Sequence, residues 1–134
     1  ASEPVPPHPD RAVRRRVLIA HPDADLPISA RASLERAGYE ILSAGDGLEA
    51  LRVANAERPD VVIADAVMPK MDGRELCQLL KSQEKTAHIR VILLTRAADE
   101  PHKGDLPPDG ILRKPVPLEM LKSTLAGMLG HPSP

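Results

Sequence analysis

The sequence predicts an α/β fold: a doubly wound, five-stranded parallel sheet with helices on both faces. Three observations carry this. Short aliphatic and β-branched runs at residues 17–20, 61–64 and 91–94 have the continuous apolar character of strands buried on both faces. These runs alternate with segments of helical periodicity, and strand–helix alternation builds a parallel sheet. The run at 61–64 also ends abruptly on a carboxylate, Asp65, at the rim where open α/β sheets place their chemistry. Five such units give the flavodoxin-like strand order 2-1-3-4-5.

The elements follow in order. Residues 1–13 carry Pro4, Pro6, Pro7 and Pro9 without apolar periodicity, so a disordered or polyproline-like tail or linker is expected there. The folded domain is expected over 14–130, with 131–134 as a second tail. Arg14 to Arg16 read as solvated charge beside the first strand, 17–20. His21, Pro22 and Asp23 follow it. Asp25 can cap a first helix with Pro27 in its first turn. Leu26, Ala30, Leu34 and Ala37 recur at helical spacing, and Gly38 ends the run. Residues 39–44 form a second strand, and the turn at Gly45, Asp46 and Gly47 opens a helix with Leu48, Leu51 and Ala54 on one face. After the third strand comes a helix over about 74–83, then a fourth strand over 90–94 ending at Thr95. A short fifth strand over 110–113 ends at Lys114 and Pro115. Pro117 starts a last helix with Leu118, Leu121, Leu125 and Met128 facing the core, ended by Gly130.

Composition narrows the function classes. At 134 residues the chain is one domain with room for a core. Its 18 basic and 19 acidic residues are balanced, so neither a nucleic-acid nor a membrane surface is expected. No apolar run has the length of a membrane span and no signal peptide is visible, which makes the cytoplasm the expected location. The one cysteine, Cys77, excludes an internal disulfide and a cysteine-based zinc site, and its leucine-rich helical context points to packing. With no Trp, no Phe and one Tyr, the core must be built from Leu, Ile, Val, Ala and Met.

The segment from Asp65 through Met68-Pro69 to Met71-Asp72-Gly73 closely resembles the phosphoacceptor loop of bacterial response-regulator receiver domains. The resemblance covers roughly residues 16–129 and implies the same doubly wound fold. It implies that Asp65 accepts a phosphoryl group, that Thr95 hydrogen-bonds that group after transfer, and that Lys114 pairs with the carboxylate and then with the phosphoryl oxygens. It also implies a cis Lys114–Pro115 peptide. The chemistry agrees, since phosphoryl transfer needs positioning and charge neutralisation more than covalent help. Taken singly, an Asp at a strand end is more often a turn former and a Lys more often a solvated side chain. Three such residues in order on the right strand ends outweigh those readings.

Three departures qualify the resemblance. The family's acid pair after strand one, which holds Mg²⁺, aligns with His21 and Pro22, with Asp23 one place later. Mg²⁺ prefers hard oxygen ligands, and imidazole suits transition metals better. Asp65 and the backbone carbonyl of Val67 remain as ligands, with Asp23 able to help only if the strand end shifts. Weakened Mg²⁺ binding is therefore expected, with His21 as polar lining rather than a metal ligand. The aromatic residue that swings behind the Thr in the family aligns with Ile111, which is expected to fill the space beneath Thr95, and Val116 stands where Phe is common. Finally, residues 96–109 hold Pro101, Gly104, Pro107, Pro108 and a single sizeable apolar residue, Leu106, so the family's fourth helix is expected to be degenerate or replaced by an extended or mobile loop.

Two functions follow. One is a two-component receiver domain that takes a phosphoryl group on Asp65 from a histidine kinase or phosphotransfer protein and signals to an output domain or partner protein. It would be no enzyme beyond its own phosphorylation and dephosphorylation. The other is a pseudo-receiver, an interaction module that works without phosphorylation. A flavin-binding flavodoxin would need a phosphate-cradling loop after strand one, and a metal-dependent phosphatase would need more acids. The flanks hold no output domain, so a stand-alone regulator or a fragment of a longer protein is expected.

Overall fold

The computed structural model describes residues 15–21, 28–96, 106–114 and 116–129, with residues 28–30 described through their backbone alone. The expectations for 1–13, 22–27, 97–105, the Lys114–Pro115 bond and 130–134 fall outside these residues. The elements are β1 (Arg15–Ala20), α1 (Ile28–Arg36), β2 (Tyr39–Ala44), α2 (Gly47–Glu57), β3 (Val61–Asp65), α3 (Gly73–Ser82), β4 (Arg90–Thr95), β5 (Gly110–Arg113) and α4 (Leu118–Leu129). All strand pairs are parallel, in the order β2-β1-β3-β4-β5. This is the doubly wound, flavodoxin-like sheet that the alternation of strand and helix patterns predicts. Among the described residues no helix is long and apolar enough to cross a membrane.

Strand residues alternate between two apolar layers. Leu18, Ala20, Val62, Ala64, Val91 and Leu93 face α2 and α3, where Ala50, Ala54, Leu76, Cys77 and Leu80 complete the layer. Val17, Ile19, Ile41, Val61, Ile63, Ile92 and Leu94 face the other side with Leu34, Leu121 and Leu125. Period-2 alternation within continuously apolar strands is what a sheet covered on both faces requires. Each fully buried Leu or Ile contributes about 1.5–3 kcal/mol. Tyr39 is buried at the start of β2, and its phenol pKa is raised by burial.

Helix ends are set by local chemistry. Asp46 caps α2 by accepting from the Glu49 N–H at 2.8 Å, while Glu49 reaches back to the Gly45 N–H at 2.8 Å. Arg58 closes the same helix in the left-handed region (φ 49°), its N–H on Ala54 O. A full capping box starts α3: Asp72 accepts from Glu75 N–H at 2.8 Å, and Glu75 accepts from Asp72 N–H at 3.2 Å.

Three side-chain expectations need correction. Leu48 is exposed, whereas the expected Ala54 is buried, Leu51 packs partly buried against the core, and Ala50 joins them. At its start the helix closes on the loop at Met71, where a Cβ on Gly47 would meet Met71 O at 1.9 Å. Arg16 is not simply solvated: it lies 3.5 Å from Glu40 and 3.4 Å from Glu57, and donates to the Glu57 carbonyl at 2.8 Å, satisfying a C-terminal carbonyl of α2. Ile111 is 45 % exposed rather than enclosed in the interior. It lies beside Leu93 on the α3 side of the sheet, while its neighbour Leu112 packs on the opposite layer. Residues 106–109 are non-helical, in keeping with the expected loop, and they are pinned to α3. The Gln78 side-chain amide donates to Leu106 O at 2.8 Å and accepts from Leu106 N–H at 2.9 Å. Lys81 bridges Asp109 Oδ2 (2.6 Å) and Ile89 O (2.8 Å), and Asp109 also accepts from the Val91 N–H.

Candidate phosphoacceptor site

Parallel register brings the site together. Ala20 pairs with Ala64, so His21 and Asp65 each stand one residue beyond a matched pair on adjacent strands. Neighbouring strands lie about 4.8 Å apart, which brings their side chains within reach. On the other flank Asp65 pairs with Leu94, one residue before Thr95, and Thr95 pairs with Arg113, one residue before Lys114. The Lys114 N–H continues the ladder to Thr95 O at 2.8 Å. Asp65, Thr95, Lys114 and His21 therefore converge at the C-terminal edge of the sheet.

Asp65 is almost wholly buried, with 4 % of its surface exposed. A buried carboxylate must be paired and hydrogen-bonded. Its Oδ2 accepts a short hydrogen bond from Lys114 Nζ and lies 3.2 Å from His21 Nε2. Its Oδ1 accepts from the Val67 N–H at 3.1 Å. Thr95 is buried beside it, while the Val67 side chain is 62 % exposed at the mouth. Among the described residues no buried side-chain nitrogen or oxygen lacks a partner.

The loop after Asp65 is held tightly. Ala66 N–H bonds Leu94 O (2.9 Å), and Gly73 N–H bonds Ala66 O (3.1 Å). Between them the Met71 N–H reaches Pro69 O at 2.7 Å across Lys70, which has φ 68°. An i→i+2 bond around a positive φ is a γ-turn, rare and strained. Gly73 is required by close approach: a Cβ there would lie 2.4 Å from Asp65 O. The helix start of α3 thus presses against the backbone of the acceptor.

Among the described residues, the side chains around Asp65 suit Mg²⁺ poorly. Asp65 already takes donors on both oxygens, and His21 offers imidazole nitrogen where hard oxygen is wanted. Among the described residues no group of three or more His, Cys, Asp or Glu could hold a metal ion. Asp23, the third candidate ligand, lies outside them. The contact of His21 with Asp65 was not foreseen from the sequence. The signal was present: strand order 2-1-3 with both strands ending at the rim makes these two positions lateral neighbours.

A parallel sheet in this order, with an acid, a hydroxyl and a lysine on successive strand ends, defines a receiver-type α/β domain. Residues 17–126 match the response regulator receiver domain, and the chain belongs to that family of two-component signalling domains. Response regulator MprA of Mycobacterium sp. (strain KMS) is 36% identical over 120 residues, covering 89% of this chain and 52% of that protein. The alkaline phosphatase synthesis transcriptional regulatory protein PhoP of Bacillus subtilis is 34% identical over 88 residues, covering 66% of this chain and 35% of that protein. The chain thus spans about half the length of MprA, or less in the case of PhoP. Among solved structures, chemotaxis response regulator CheY4 of Vibrio cholerae superposes with a TM-score of 0.74 at 32% identity, covering 87% of this chain and 99% of that one. The receiver domain of sensor histidine kinase PA1611 from Pseudomonas aeruginosa, solved with magnesium in its active-site cleft, shares the fold. Its TM-score is 0.76 at 23% identity, covering 87% of this chain and 98% of that one.

Proposed function

We propose that this receiver domain accepts a phosphoryl group on Asp65 from a cytoplasmic histidine kinase or phosphotransfer protein, and passes the signal to an output domain or partner protein. The observation that carries the reading is the buried Asp65 carboxylate hydrogen-bonded to Lys114, with Thr95 on the next strand end. In the step, an Asp65 carboxylate oxygen attacks phosphorus and forms a new O–P bond. The P–N bond of the donor phosphohistidine breaks, and its electron pair leaves with the imidazole. Lys114 offsets charge on the transferred group, and Thr95 supplies a hydroxyl donor. Apart from turning over its own phosphoryl group, the domain has no catalytic role in this proposal. Mg²⁺ binding weaker than in receivers with an acid pair is part of it, as is a domain spanning 14–130 with tails at 1–13 and 131–134.

The pseudo-receiver reading stands second. It is favoured by His21 against the acceptor and by the exposed Ile111 in the aromatic's place. Intact-protein mass spectrometry after acetyl phosphate treatment, with and without Mg²⁺, separates the two. One added phosphoryl group, lost in Asp65→Asn, is expected. No adduct under any condition, on folded protein, favours the pseudo-receiver.

A further inference from the structure

We propose that His21 serves Asp65 in place of a divalent cation, so that phosphoryl transfer at this site proceeds without Mg²⁺. The inference rests on Asp65 being the phosphoacceptor. Three facts carry it. His21 is 7 % exposed and Asp65 is 4 % exposed, so their 3.2 Å contact is sheltered from water. Oδ2 meets both His21 Nε2 and Lys114 Nζ, while Oδ1 is taken by the Val67 N–H, so the carboxylate has a donor on each oxygen. The backbone that carries the imidazole is also anchored: the His21 main-chain N–H bonds Ala44 O at 3.0 Å, tying the end of β1 to β2.

A divalent cation in such a reaction orients the carboxylate and offsets charge on the phosphoryl oxygens. Hydrogen-bond donors fixed in a water-poor site perform the same two tasks. With an acyl phosphate donor, an Asp65 oxygen attacks phosphorus, the P–O bond to the acyl group breaks, and the carboxylate leaves with the electron pair. No proton or further reactant is needed. The single Nε2–H of His21 stays on Oδ2, while Lys114 Nζ, with three N–H groups, can hold that oxygen and also meet the arriving phosphoryl group.

The test compares phosphorylation of the whole chain by acetyl phosphate in EDTA and in Mg²⁺, followed by intact mass. Wild type should label at equal rates in both. His21→Ala should label roughly tenfold or more slowly in EDTA, as expected for losing one charge-assisted hydrogen bond. It should recover in Mg²⁺, because the freed carboxylate can take the ion. His21→Gln, which keeps an N–H donor, should restore much of the EDTA rate and guards against a folding defect in the alanine variant. A second readout needs no phosphoryl transfer: Mg²⁺ should leave the melting temperature of wild type unchanged and raise that of His21→Asp with Pro22→Asp. Labelling of wild type only in Mg²⁺, or an unchanged EDTA rate in His21→Ala, would overturn the inference and leave the acceptor role of Asp65 intact. No labelling in any condition would overturn both.

Discussion

At Gly73 one methyl group decides whether the acceptor loop keeps its shape. A Cβ there would sit 2.4 Å from Asp65 O and 3.1 Å from Ala66 Cα, both backbone and neither able to swing aside. Gly47 is tighter still, with Met71 O at 1.9 Å from its Cβ position. Gly73→Ala and Gly47→Ala should each cost about 1–3 kcal/mol, the usual range for overpacking, in urea unfolding. Gly73→Ala should also slow labelling of Asp65, because the start of α3 and the acceptor's backbone must move apart. Wild-type stability in either variant would refute the close approach. The glycine in Met71-Asp72-Gly73 was legible as a motif, but its reason was not, since contact with Asp65 O spans a loop whose path no local pattern specifies. His21 shows the opposite case, with the strand order in hand and only the lateral pairing left undrawn.

Among the elements, α3 does more than cover the sheet. Gln78 and Lys81 on its outer side hold residues 106–109, in the stretch where the family's extra helix was expected to be lost. The prolines and glycine argued against a full helix there. They could not show that two polar side chains about 28 residues earlier would anchor the replacement. Gln78→Ala should speed amide exchange at Leu106 at least tenfold, one lost hydrogen bond being worth about 1 kcal/mol or more, while Val91 and Leu93 stay protected. Unchanged exchange at Leu106 would remove the clamp from the account. Asp109 adds a pH dependence. Burial alone would raise its pKa, but the Lys81 hydrogen bond and the Val91 N–H outweigh it, so the net shift is downward. A depressed carboxylate stabilises the fold above its ordinary range near pH 4 and loses that contribution as pH falls through the lowered value. Asp109→Asn should therefore be less stable than wild type at pH 7 by about 1–2 kcal/mol, with the gap closing in strong acid. A gap that persists below pH 2 would contradict this. In α2, helical spacing nominated Leu48, Leu51 and Ala54; Ala54 is buried together with Ala50, while Leu48 is exposed.

For the molecule as a whole, fold and candidate site were legible together, because the same apolar runs that define strands end on the residues gathered at the rim. Core and surface along β5 were not. A four-residue edge strand alternates only twice, too short for periodicity to say which side is covered. Ile111 consequently lies half open while Ile92 is fully buried. Ile111→Ala should cost less than about 1 kcal/mol, whereas Ile92→Ala should cost about 2–5 kcal/mol. Equal losses in thermal unfolding would mean that Ile111 is packed after all. A domain that lacks an aromatic at this place and carries a clamped loop beside it cannot signal by swinging a ring inward.

The single tyrosine has an optical consequence. Tyr39 opens β2, at the strand end opposite Ala44, about 16 Å from the rim that holds Asp65. With no Trp or Phe in the chain, it is the sole aromatic chromophore. Intrinsic fluorescence and near-ultraviolet absorbance therefore see the far edge of the sheet and are blind to the occupancy of the acceptor. They are well suited to unfolding, because burial raises the phenol's pKa and phenolate forms readily only once the chain opens. That contribution to stability is complete below the ordinary phenol range near pH 10 and is lost as pH climbs through the raised value. Following the signal itself by light would require a tryptophan placed on purpose, and the exposed side chain of Val67, at the mouth of the site, marks where one could stand.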